Sequence, residues 1–173
     1  GATSLMARKL PVADFGRILL LLTAVNAFAI FEGLRPVVIH RLALGRESPL
    51  ALFNATARIN AGMVGVTLLC LLLALLAGAG SDLPPLADLL LAATVIAFFV
   101  MMQYWTFLDA EQDTIFTGLS RTGGWTLLYV VFGLLAVLRV GLLWYIISLF
   151  LMHVGLIAVL RFRFTRRGFS ARY

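Results

Sequence analysis

Two stretches of this chain, residues 64–77 and 140–160, contain no Asp, Glu, Lys or Arg and consist largely of Leu, Val, Ile, Ala and Gly. In a bilayer the backbone must satisfy its own N–H and C=O groups, and about 20 apolar residues in helical form cross the hydrocarbon. Such runs call for helices in lipid. The composition agrees: 62% of the 173 residues are hydrophobic and 13% charged, with a mean hydropathy of +1.01. A water-soluble fold of this length cannot hide that much apolar surface. The expected fold is all-α, a polytopic transmembrane helix bundle forming one domain over residues 1–173.

Five spans are expected, at about 18–39, 60–79, 85–108, 122–138 and 142–161, followed by a basic tail over 161–173; four spans are the alternative. The first opens with ILLLLTAVNAFAIF and then admits Glu32, Arg35 and Pro36. Ser48 before Pro49 predicts a helix start, because Ser caps free N–H groups and proline at the first helical position gives up no needed donor. From there a helix can run to about residue 77, roughly 44 Å at 1.5 Å per residue, so its first turns, with Asn54, Arg58 and Asn60, belong at the interface. The turn GAGSDLPP ends it, and the next helix starts at Pro84 or Pro85. Tyr104 and Trp105 are placed as interfacial aromatics would be. The acidic segment from Asp109 prolongs that helix until Gly123 and Gly124 break it. Residues 125–162 are too long for one untilted span. They read either as two helices folded back at 138–141 or as one long protruding helix, and two helices match the bilayer better.

The excess of Lys and Arg marks the cytoplasmic side. With five spans and the C-terminus inside, ten basic residues face the cytoplasm, and Arg8, Lys9, Arg17 and Arg139 lie outside. With four spans the counts are eight and five, and Arg139 is left in lipid. Both arrangements put the C-terminal tail in the cytoplasm, and a bacterial inner membrane is the expected location. The first hydrophobic run lacks a small-residue cleavage site, which favours a retained span over a secretory signal, and residues 1–5 read as a non-native leader ahead of MARKL.

The net charge of +6 sits at the ends of apolar runs, so anionic lipid head groups are the expected partners and nucleic acid is not. Arg161, Arg163, Arg166 and Arg167 are the candidate head-group contacts. The single cysteine, Cys70, excludes an intramolecular disulfide. No cofactor is expected, because His40 and His153 lie at different depths and do not suit a paired haem site.

Charged and polar groups inside spans are functional candidates. Glu32 and Arg35, three apart on one helix face, with Asn26 nearly in line, read either as a polar stripe that binds an ion, proton or anion, or as an interfacial pair. His153 reads as a proton relay or as an interhelical hydrogen-bond donor. With Gln103, these residues form a candidate polar pathway. Asp109, Glu111 and Asp113 are candidate cation or interface acids, with Asp109 and Asp113 on one helical face at i and i+4; the alternative is a solvated acidic surface. Ala57, Ala61 and Gly65 form a smooth ridge that another helix can approach closely, within the chain or from another copy. No catalytic motif stands out. Three functions follow in order: a small oligomeric channel or transporter for an ion or small solute; a non-catalytic accessory or scaffold subunit of a larger membrane complex; and a lipid-modifying enzyme.

Overall fold

The computed structural model describes residues 2–12, 15–16, 18–19, 34–45, 48–76, 85–111 and 113–167. Among them lie six helices with defined bounds, α1 (Ala2–Lys9), α2 (Leu34–Ala43), α3 (Pro49–Leu76), α4 (Pro85–Ala110), α5 (Thr114–Val137) and α6 (Leu142–Arg166), and no strand.

Local chemistry sets where these helices start and stop. At the head of α3 the Ala51 N–H donates to Ser48 Oγ at 3.2 Å, and Pro49 opens the helix without giving up a bonded donor. Pro85 does the same for α4, with Asp88 in its first turn to complement the helix dipole. After α2 the chain turns through Gly45 at φ +62°, a conformation that costs glycine little. α5 ends in a Schellman turn, in which the Val140 N–H donates to the Leu135 carbonyl and the Arg139 N–H to that of Ala136, both at 3.3 Å. Arg139 holds the left-handed position there, at φ 53°. Gly141, extended at ψ 163°, then leads into α6. Residues 125–162 thus form the parts of two helices and not one long one.

The break between α4 and α5 departs from the sequence reading. It falls at 111–113 and not at Gly123 and Gly124, which lie inside α5. Tertiary packing fits the glycine: a Cβ at Gly124 would sit 2.7 Å from Leu156 Cδ1, so Leu156 of α6 packs against α5 where α5 has no side chain.

α4 is the central element, packed against α2, α3, α5 and α6, while α1 lies on α5. Its buried residues include Phe98, Phe99, Met101, Met102, Trp105, Phe107 and Leu108. Aromatic contacts join the layers: Phe53 of α3 lies 5.0 Å from Phe107, Tyr104 meets Phe164 of α6 edge-on at 5.5 Å, and Phe132 of α5 meets Tyr145 of α6 at 5.0 Å. Trp105 and Tyr104 therefore face the bundle, Trp105 fully buried and Tyr104 half-buried. The side chains left outside are themselves apolar, among them Leu69, Leu72, Leu73, Leu127, Leu134 and Leu151, each more than half exposed. Apolar surface of that extent is an interaction surface. Three described helices are long and apolar enough to cross a membrane, over Leu86–Ala110, Thr114–Val137 and Leu142–Arg166. An all-helical bundle that presents such helices with apolar outer faces is a membrane-embedded fold.

Candidate functional site

Polar side chains gather at two places in this apolar bundle. The first is the end where α4 turns into α5 beside the last turns of α6. Asp113 is the N-cap residue of α5, yet its carboxylate makes no capping bond. It accepts instead from α6: Arg163 Nε donates to Oδ2 at 2.8 Å, Arg163 Nη2 to Oδ1 at 3.3 Å, and Arg167 Nη2 to Oδ1 at 3.1 Å. The carboxylate is only 6% exposed, against 36% and 42% for the two arginine side chains. Deeper in, the Thr117 hydroxyl donates to Asp109 Oδ1. Ser120 donates to the Thr117 carbonyl, and Trp105 Nε1 donates to Ser120 Oγ, both at 2.9 Å. Two guanidiniums stack on rings nearby, Arg121 on Trp105 at 4.8 Å and Arg163 on Phe116 at 5.1 Å.

The sequence reading set Asp109 and Asp113 on one helical face, as paired cation ligands or as solvated surface. Neither describes the geometry. The turn at 111–113 places them on different elements, both are buried, and each is bonded to other protein groups. Glu111 is half-buried in the same turn. No three His, Cys, Asp or Glu side chains among the described residues come together as a metal site would require.

The second cluster lies between α3 and α4. Asn60 Nδ2 donates to Gln103 Oε1 at 2.7 Å, while Gln103 Nε2 donates to the Phe53 carbonyl at 3.0 Å and approaches Thr56 Oγ1 at 3.4 Å. Thr56 returns its own hydroxyl hydrogen to the Leu52 carbonyl. Beside this network is a cavity of about 20 Å³, lined by Thr56, Asn60, Gln103, Thr106, Phe98, Phe99 and Met102. It has room for one water and polar groups to hold it. Gln103 was read from sequence as a pathway residue and Asn60 as an interfacial one; the fold joins them.

His153 is fully buried, its ring 6.0 Å from that of Phe98. Nδ1 donates to the Leu149 carbonyl at 2.8 Å, one turn back in the same helix, and Nε2 is buried with no hydrogen-bond partner among the described residues. The hydrogen bond expected between helices is thus made within α6. A carbonyl only accepts, so Nδ1 carries a proton.

Of the remaining pathway candidates, Asn26, Glu32 and the side chain of Arg35 lie outside the described residues, and the Arg35 backbone belongs to α2. The ridge of Ala57, Ala61 and Gly65 faces outward. Ala61 and Gly65 are exposed, and a Cβ built at Gly65 meets nothing within 4 Å among the described residues. Ala57 and Ala61 help to line an open apolar groove of about 400 Å³ between α3 and α4. Arg161 and Arg166 are exposed near the C-terminal end of α6, and Arg166 stacks on Phe162 at 4.3 Å. The Asp113 pairings went unread because 50 and 54 residues separate the partners, and no local pattern carries that distance. Compared with protein-family models, with curated proteins and with solved structures, the chain shows no match.

Proposed function

We propose that this membrane protein is a non-catalytic subunit or scaffold that docks a partner membrane protein, or a second copy of itself, through its apolar outer faces. One observation carries the reading: among the described residues nothing covers the small-residue ridge on α3 at Gly65, and the ridge lies beside a groove of about 400 Å³. Helices associate in lipid through close backbone approach at such ridges, since lipid itself is as apolar as leucine. The internal polar groups support the same view. Asp113 is bonded to Arg163 and Arg167, and Asn60 to Gln103, so each cluster holds helices together. In this reading the arginine-rich end of α6 faces the cytoplasm of a bacterial cell. The test is purification from the native membrane in mild detergent, followed by native mass spectrometry. A stoichiometric second polypeptide or a homo-oligomer, lost in Ala61→Leu, supports the proposal, and a monomer unaffected by that change rejects it.

A second reading, a channel or transporter for an ion or small solute, draws on the water-sized polar cavity between α3 and α4. Buried polar space in a membrane bundle is where a permeating species would first meet protein groups. Proteoliposome flux that falls in both Gln103→Leu and His153→Leu would favour it over the scaffold.

A further inference from the structure

Between α5 and α6 an outer crease of about 780 Å³ runs along the helices, walled by Leu119, Leu127, Leu151 and Val159 and widened at Gly123 and Gly155. A Cβ at either glycine would meet nothing within 4 Å among the described residues. From Phe116 to Val131 the α5 wall is roughly 22 Å long at 1.5 Å per residue, somewhat more than the roughly 15 Å depth of one leaflet's hydrocarbon. One end of the crease is charged. Phe116 is one of its lining residues, and the Arg163 guanidinium stacks on that ring at 5.1 Å. On α6 the lining residues Met152, Leu156 and Val159 continue at helical spacing into Arg163 and then Arg166 and Arg167. Asp113 balances the charge of only one of the two guanidiniums it binds, and both arginine side chains remain more than a third exposed.

We propose that this crease is a binding site for one anionic phospholipid, an acyl chain lying between α5 and α6 and the phosphate held by Arg163, Arg166 and Arg167. Three guanidiniums against the one carboxylate of Asp113 leave the cluster in excess positive charge, which a phosphodiester partly neutralises, and guanidinium forks match its oxygens. The occupant is a lipid because the crease starts at the charged end of a membrane-length helix and reaches a leaflet's depth, with a wall that is apolar except for Ser120 and Ser148. The inference rests on the membrane-embedded fold alone and stands whether or not the chain docks a protein partner.

Native mass spectrometry of the full chain, titrated with phosphatidylglycerol or with phosphatidylcholine of the same acyl chains, tests it. One phosphatidylglycerol per chain is expected, favoured about fivefold or more over phosphatidylcholine. Changing Arg166→Gln and Arg167→Gln together should remove that preference, since each basic residue near an anionic head group strengthens binding about fivefold. Gly123→Leu with Gly155→Leu, which fills the crease, should weaken both lipids about tenfold or more, because each buried methylene contributes about fourfold. Leu151→Trp, at a side chain 59% exposed, blocks the same space without touching the glycines, and circular dichroism reports whether each variant keeps its helices. Equal affinity for the two lipids overturns the proposal, as does undiminished lipid retention in both crease variants. Loss of a dimer or of a bound polypeptide in those variants, with lipid binding unchanged, makes the crease a protein interface and also overturns it.

Discussion

Replacing Gln103 with leucine tests whether the amide cluster between α3 and α4 holds the bundle together. The side chain is 7% exposed and bridges the two helices through one bond of 2.7 Å from Asn60 and one of 3.0 Å to the Phe53 carbonyl. The contact with Thr56 at 3.4 Å is too long to add much. Interhelical hydrogen bonds in membranes average about 0.6 kcal/mol and reach about 1.7 kcal/mol. Two good ones give a loss of about 1 to 2 kcal/mol for Gln103→Leu, part of it offset because leucine is easier to bury than an amide. Asn60→Leu removes only one of the two. The double-mutant cycle between them should therefore show a coupling of about 0.6 to 1.7 kcal/mol. The assay is reversible unfolding in mixed detergent micelles, followed by far-ultraviolet circular dichroism, with flux measured on the same four proteins in proteoliposomes. A coupling indistinguishable from zero would refute the structural role. Flux abolished by Gln103→Leu with stability intact would move the function toward permeation.

Three further outcomes follow from individual side chains. Arg139→Gly should stabilise the protein by about 0.5 to 1 kcal/mol in the same unfolding assay, because the residue sits at φ 53°, where a side chain costs about 1 to 2 kcal/mol and glycine's looser unfolded chain offsets part of the gain. Gly124→Ala should change stability by less than about 1 kcal/mol, because the added methyl meets only the flexible Leu156 side chain and the cost of moving it offsets the gain in helix propensity, and a second change, Leu156→Val, should relieve that cost and leave the double variant more stable than Gly124→Ala alone. Asp113→Asn weakens the links to Arg163 and Arg167, so backbone amides of the first turn of α5 and the last turn of α6 should exchange hydrogen faster while those of mid-α4 do not.

The helix ends were legible because local chemistry fixes them. Ser48 with Pro49, Pro85 with its Asp88, and the interruption at 138–141 each carry their signal within a few residues. The turn at 111–113 was not legible, since the glycine pair at 123–124 gives a stronger local signal for a break than DAEQD does. Only the presence of Leu156 on the neighbouring helix turns Gly124 from a helix breaker into a contact point. The amide pair was half legible: Gln103 stood out as a polar group in an apolar run, but its partner lies 43 residues away.

By itself, then, the sequence determined that this chain makes apolar helices suited to a bilayer, because hydropathy and capping act over a turn or two of backbone. The tertiary structure decided which polar groups meet, that Asp113 serves two arginines of α6 and not its own helix, and which apolar faces stay open. Those outcomes depend on how α4 is surrounded by its neighbours. An apolar helix surface looks much the same in sequence whether a helix or lipid covers it, so only the packed arrangement tells the two apart.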